Sequence, residues 1–249
     1  MRSAFFLLLG LAGAAHAQCV AQSGPGTAAL VELYTSEGCS SCPPADRWLA
    51  TIGKRHKPEN MVPLALHVDY WDYIGWKDPY AKREFSVRQR RLSHLQRMAM
   101  VYTPQVVLQG RELRGWSSAG FDEAIARINA KPARAAIRLA ILGSDGEGLD
   151  VEAQVEIPAR TGDPALYLAV YEKGLSSRVT AGENRGRTLA HDYVVLAWQG
   201  PFGIPGPGRT ERRRLALLPG AVEANSGVVA FVQDRGTLEV LQALLRSAC

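Results

Sequence analysis

The sequence predicts an α/β domain over residues 18–132, followed by an all-β, sandwich-like domain over 133–249 that ends in a helix. Three observations carry this. Up to about residue 132, short apolar runs suited to buried strands alternate with segments of helical periodicity. Beyond it, one strand candidate follows another, separated by Gly, Pro and Asp clusters. The 249 residues also exceed the roughly 100–200 of a usual single domain.

The first residues set the compartment. Arg2 supplies a short positive region, Phe5 to Gly13 is an uncharged and mostly apolar run, and Ala15-His16-Ala17 has the small-x-small form of a cleavage site. The run is too short for a hydrocarbon core of about 30 Å, so residues 1–17 read as a cleaved signal and Gln18 as the mature start. Gln18 is not the small residue that a lipid-attachment box places before its cysteine. The expected product is periplasmic or secreted, without a membrane anchor after cleavage, in a place where disulfides persist. Its charge of +5 is a mixture of 29 cations and 24 anions with no dense basic tract, which argues against nucleic acid.

In the first half, Ala28 to Tyr34 is a β-branched and aromatic run suited to a buried strand. Cys42-Pro43-Pro44-Ala45-Asp46 opens a helix, because proline is tolerated in a first turn, and Trp48, Leu49 and Ile52 form its apolar face. Met61 to Val68 is a second buried strand. Asp78-Pro79 reads as a helix start, with Phe85, Leu92 and Leu95 at helical spacing and Arg88, Arg90 and Arg91 among the cations opposite. Strands at Gln105–Gln109 and Glu112–Gly115 and a helix over Ser118–Asn129 complete the unit. In the second half, Leu149 to Ile157 alternates apolar and polar strictly, as in a half-buried antiparallel strand. Ile137–Leu142, Leu166–Glu172, Tyr193–Trp198, Arg213–Leu218 and Val228–Gln233 are further strands, Gly200 to Gly208 an exposed loop, and Thr237 to Arg246 a terminal helix.

Four cysteines are too few to build the fold by themselves, and their placement suggests two pairs. Cys39 and Cys42 stand in a Cys-x-x-Cys spacing. Cys19 and Cys249 lie at the ends of the mature chain, and chain ends often meet. The natural pairing is Cys39–Cys42 with a structural Cys19–Cys249 bridge; the alternative leaves the latter two as unpaired ends.

The order β–α–β–α–β–β–α, with Cys39-Ser40-Ser41-Cys42 at a strand-to-helix junction and Thr103-Pro104 before a later strand, resembles thioredoxin-like folds. The run from Glu32 to Asp46, with His67-Val68-Asp69-Tyr70-Trp71-Asp72 and Gly186-Arg187-Thr188-Leu189-Ala190-His191, is similar to a bacterial family of exported thioredoxin-like proteins of unknown function. The resemblance implies an exposed nucleophilic Cys39, a resolving Cys42 beneath it, a cis Pro104 beside them and a buried Glu32 for proton transfer; the alternative for Glu32 is a salt-bridged glutamate at a sheet edge. A helix N-terminus, with its partial positive charge and free amides, favours the thiolate. Thiol–disulfide exchange with an unidentified protein partner is the expected role, needing no cofactor. Thr103, His67, Asp69, Trp71, Asp72 and Trp76 are the expected substrate-binding residues, since ligands gather at strand C-termini in open α/β sheets, with a packing role for the His67–Trp76 run as the alternative. Glu183-Asn184-Arg185-Gly186-Arg187 reads as a turn that caps itself, with carboxylate binding by its two guanidinium groups as the alternative. Two other readings stay open. One is a copper-handling protein using Cys39, Cys42 and His67 or His191, since thiolate and imidazole suit copper. The other is a scaffold whose Cys39–Cys42 bond is structural.

Overall fold

The computed structural model describes residues 19–159 and 162–249; the leader expected over 1–17 and the start expected at Gln18 lie outside the described residues. The strands are β1 (Cys19–Gln22), β2 (Ala29–Thr35), β3 (Met61–His67), β4 (Gln105–Leu108), β5 (Arg111–Glu112), β6 (Ala136–Ser144), β7 (Gly148–Glu156), β8 (Pro164–Glu172), β9 (Leu175–Arg178), β10 (Thr188–His191), β11 (Val194–Gly203), β12 (Gly208–Ala216), β13 (Ser226–Asp234) and β14 (Val240–Ser247). The helices are α1 (Pro43–Arg55), α2 (Arg83–Leu95) and α3 (Gly120–Asn129), with a 3-10 segment at Asp69–Ile74.

The expected fold class, an α/β thioredoxin-like domain beside an all-β domain with a terminal helix, is overturned. One eight-stranded mixed sheet, in the order β14-β13-β8-β11-β3-β2-β4-β5, draws strands from both halves of the chain. Its seam is the parallel contact of β3 with β11, where Val194 faces Ala65 and the Ala65 N–H donates to the Tyr193 carbonyl at 2.8 Å. Without β11, β3 would be an edge of unpaired backbone groups. That edge is filled by a strand more than a hundred residues away, which local periodicity does not report.

A second sheet, β1-β6-β7-β12, is antiparallel throughout and takes β1 from the start of the described chain. It stacks on one face of the large sheet. Leu166, Leu168 and Val170 of β8 and Val228, Ala230 and Val232 of β13 meet Leu139, Val151, Ala153 and Leu215 there. The alternate residues Tyr167, Tyr171, Val229 and Phe231 enter the other core, with the packed faces of the helices. β8 and β13 are therefore buried on both sides, as are β2 and β3.

Two local expectations also fail. Thr237–Arg246, rich in the helix formers Leu, Ala, Gln and Arg, contributes most of β14, paired along its length with β13. The Asp234 carboxylate accepts the N–H groups of Gly236 and Thr237 and the Thr237 hydroxyl, and so closes a hairpin turn. The place of a last strand beside β13 overrides helix propensity. The second long helix starts at Arg83, not at Asp78-Pro79. Asp78 is instead buried, and its carboxylate accepts from the backbone of Glu37 and Tyr80.

Candidate functional site

β2 leads through Ser36–Ser41 into α1, and Cys39 and Cys42 are disulfide-bonded at this junction, with a Cα–Cα distance of 5.4 Å. Pro43 and Pro44 set φ for the first helical turn. They also lack amide hydrogens, so the helix end has fewer free donors than such ends normally offer. The Ala45 and Asp46 amides both turn back to the Cys42 carbonyl, at 2.8 and 3.1 Å. Cys39 is 1% exposed and Cys42 fully buried, so the expectation of an exposed first cysteine does not hold.

The second half of the chain holds the cysteine loop from outside. β9 and β10 form a hairpin whose tip, between Val179 and Arg187, lies on the cysteine loop. The Asn184 side chain, fully buried, donates to the Glu37 carbonyl at 2.8 Å and the Cys39 carbonyl at 2.9 Å. The Ser40 amide donates to the Glu183 carboxylate at 2.9 Å; hydrogen bonding from the Ser40 side chain, and then from its amide, holds the Glu183 carboxyl below its usual range. Arg187 donates to Asn184 Oδ1 at 3.2 Å and braces the tip from within.

Directly beside the cysteine loop is a buried group of three carboxylates and two imidazoles. His191 Nε2 meets Glu37 Oε1 at 3.0 Å, and its Nδ1 lies 3.8 Å from Asp46 Oδ2. His67 Nδ1 meets Asp78 Oδ2 at 2.8 Å, and the two imidazole centroids are 4.9 Å apart. Thr35 donates to Asp46 at 2.8 Å, and Trp76 Nε1 to Glu37 at 2.9 Å. Burial raises the Asp46 carboxyl pKa against the opposing pull of both histidines. For His67 and Asp78 burial works against charge, but their mutual attraction wins: the His67 pKa is raised and that of Asp78 lowered. His67 Nε2 and His191 Nδ1 have no hydrogen-bond partner among the described residues. Buried charge of this density is costly to assemble and concentrates at functional sites.

The structure gathers some of the sequence-selected residues and disperses others. Trp71 Nε1 donates to Thr103 Oγ1 at 2.7 Å, and a Cβ built on Gly38 would stand 2.9 Å from the Trp71 Cβ. Trp71 thus links the cysteine loop to Thr103 and the cis bond before Pro104. Trp76 touches Glu37, and Asp72 accepts the Asp78 amide at 3.3 Å, its own pKa raised by burial. His67 is fully buried and presents nothing to a ligand. Asp69 turns to Ser86 on α2, pairing its carboxylate with that hydroxyl. Glu32 points to the sheet face opposite Thr35, three positions on, and so away from α1. It is buried and held by Arg88 at 2.6 and 3.1 Å. Arg88 itself lies over the rings of Tyr167, Trp198 and Phe231.

Glu37, Asp46, Asp78, Glu183 and Asn184 were not selected as site residues from sequence. Glu37 next to Gly38-Cys39 and Asp46 one helical turn after Cys42 were the available signals. The other bond joins Cys19 to Cys249, Cα–Cα 5.9 Å, and ties β1 to the end of the last strand. Among the described residues no group of three or more His, Cys, Asp or Glu is arranged to hold a metal, and no helix is long and apolar enough to cross a membrane.

Comparison with known proteins adds kinship and fold. The chain is similar to the solved structure of protein AGR_C_4864 from Agrobacterium tumefaciens, at 24% identity over 91% of this chain and 97% of that one, with a TM-score of 0.69. It is also similar to HBP35 of Porphyromonas gingivalis, at 16% identity over 90% and 76% of the two chains, with a TM-score of 0.67. No curated protein matches. Residues 30–233, which include the cysteine pair, the buried acid–imidazole group and the covering hairpin, match the model described as "Protein of unknown function (DUF1223)", and the chain belongs to that family.

Proposed function

We propose that Cys39–Cys42 is an exchangeable disulfide and that the protein carries out thiol–disulfide exchange with a protein partner outside the cytoplasm. The supporting observation is how little the bond does for the fold. It spans a sequence separation of 3, against 230 for Cys19–Cys249. In the chain-entropy model the short loop stabilises by about 2 kcal/mol and the long one by about 5 kcal/mol. The shorter bond is nonetheless the one set beside a buried acid–imidazole group and held under a hairpin. Two disulfides also suit an oxidising compartment.

The chemistry follows from the placement. A partner thiolate attacks Cys39 Sγ, the Cys39–Cys42 bond breaks, and its electron pair passes to Cys42 Sγ, which takes up a proton. A mixed disulfide remains on Cys39. Attack by a second partner thiolate then releases an oxidised partner and the reduced pair; attack by Cys42 reverses the first step. Asp46 lies one turn beyond Cys42 on the same helix face, with a pKa raised by burial, and is suited to exchange that proton. Tyr73, 82% exposed in the 3-10 segment between Trp71 and Trp76, gives a partner an aromatic foothold.

The test is trapping. Cys42→Ser should accumulate mixed disulfides through Cys39, and Cys39→Ser should accumulate none. No trapped partner with either variant, together with a reduction potential below about −300 mV for the pair, would sink the reading in favour of a structural bond.

A further inference from the structure

Exchange requires a nucleophile aligned with the S–S bond, yet both sulfurs belong to buried residues. One element held to their loop differs in construction from the rest of the molecule. β9 and β10 form a two-stranded sheet of their own, with no ladder to either large sheet among the described residues. Such a hairpin is marginal by itself, so its position depends on what its tip and sides touch. The ends of this hairpin leave the body at two residues with left-handed backbone, Gly174 (φ 72°) and Tyr193 (φ 60°). The Gly174 amide donates to Asp192 at 2.8 Å and holds the two ends together. These are the features of a hinge: a few element-terminal residues that absorb a change of backbone angle.

The tip is internally braced as one piece. Val179 N–H donates to the Arg187 carbonyl at 2.9 Å, Gly186 N–H to the Val179 carbonyl at 2.8 Å, and Arg187 reaches Asn184 Oδ1. Its hold on the cysteine loop is polar and narrow: two bonds from the Asn184 amide and one to the Glu183 carboxylate. Beside them, Gly182 packs so closely on Ile74 that a Cβ there would lie 2.9 Å from the Ile74 Cδ1. His191 and the buried Leu189 hold the base of the hairpin. Water can replace the exposed Ser40–Glu183 bond with small net loss, whereas the two Asn184 bonds and the base contacts are shielded.

We propose that the β9–β10 hairpin is a hinged cover that gates access to Cys39–Cys42, latched at its tip by Asn184 and Glu183. The proposal rests on the exchange reading, for which it names the regulating element. Closed, the cover keeps stray thiols from the bond. Open, it bares Cys39 before Cys42, because the latch bonds end on Glu37, Cys39 and Ser40 and none ends on Cys42.

The test follows both bridges in the same molecule. Oxidised full-length protein is treated with dithiothreitol, quenched with iodoacetamide at intervals, and each cysteine is quantified by peptide mass spectrometry. Glu183→Ala/Asn184→Ala should speed reduction of Cys39–Cys42 by about tenfold or more, since about 1.4 kcal/mol lost from the closed state corresponds to tenfold, and should leave the Cys19–Cys249 rate as in the wild type. Asn184→Asp, which keeps the side-chain volume but replaces the donor with a carboxylate against two carbonyls, should do the same. Unchanged reduction of Cys39–Cys42 in both variants overturns the cover. So does equal acceleration of both bridges, which signals loss of the whole fold. Selective acceleration without any partner trapped by Cys42→Ser leaves the cover standing and removes the exchange reading. Trapped partners with no acceleration do the reverse.

Discussion

Replacing both cysteines of one bridge at a time should separate a staple from a site. In the chain-entropy model a cross-link removes more freedom from the unfolded chain the longer the loop it closes. Sequence separations of 230 and 3 translate into about 5 and about 2 kcal/mol. The larger figure also has a local target. β1 is four residues long and among the described residues pairs only with β6, and Cys19 at its start is part of the core between the two sheets. Without the bridge that strand should fray first. The assay is guanidinium unfolding of Cys19→Ala/Cys249→Ala and Cys39→Ala/Cys42→Ala against the oxidised wild type. The first variant should lose about 5 kcal/mol and the second about 2 kcal/mol or less. The m-value should also rise in the first, because its denatured state is no longer cross-linked and exposes more surface. Equal losses, or a greater loss from the Cys39/Cys42 pair, would refute the argument and turn that pair into a structural clamp.

Three other outcomes are expected. Arg88→Met should destabilise by about 3–5 kcal/mol because it strands the buried Glu32 carboxylate, and Glu32→Leu/Arg88→Met should recover most of it; a double variant as unstable as the single would contradict this. Gly53→Ala should lower the melting temperature although alanine is the better helix former by about 1 kcal/mol, since its Cβ would stand 2.2 Å from the Tyr193 ring. The His67–Asp78 pair should support the fold most between about pH 4 and pH 6.5. The raised His67 pKa contributes fully below its ordinary value and is lost as pH rises through the folded one. The lowered Asp78 pKa contributes above its ordinary value and is lost as pH falls through the folded one. Asp78→Asn should flatten that part of the pH–stability curve, and an unchanged curve would show the pair to be thermodynamically silent.

Local pattern carried far in this sequence wherever one face of an element meets water. Leu149–Ile157 alternates because β7 has a core face and a solvent face, and Trp48, Leu49 and Ile52 mark the packed side of α1. It misled where tertiary pairing outweighed propensity, as in β14, whose leucines at near-helical spacing are buried on both faces of a strand. Nothing in the residues around β3 reports that β11 will lie beside it. The site was half legible for the same reason. Cys39 and Cys42 announce themselves by spacing, but Asn184, which covers them, is 145 positions from Cys39 and sits in a turn that reads like any other. Glu32 attracted notice as an acid on a strand leading to the motif, yet side-chain alternation sends it to the opposite face.

With Cys19 and Cys249 joined, the polypeptide from 19 to 249 is topologically a ring. One proteolytic nick in an exposed turn, such as that at Gly146, opens the ring but releases no fragment, so an oxidised molecule can be cut once and still run as a single species until it is reduced. The 5.9 Å between the two Cα atoms is also short enough for a few linking residues to close the ring by peptide bonds. New ends could then be opened at that turn, and the strand order of both sheets would be kept in a circularly permuted chain.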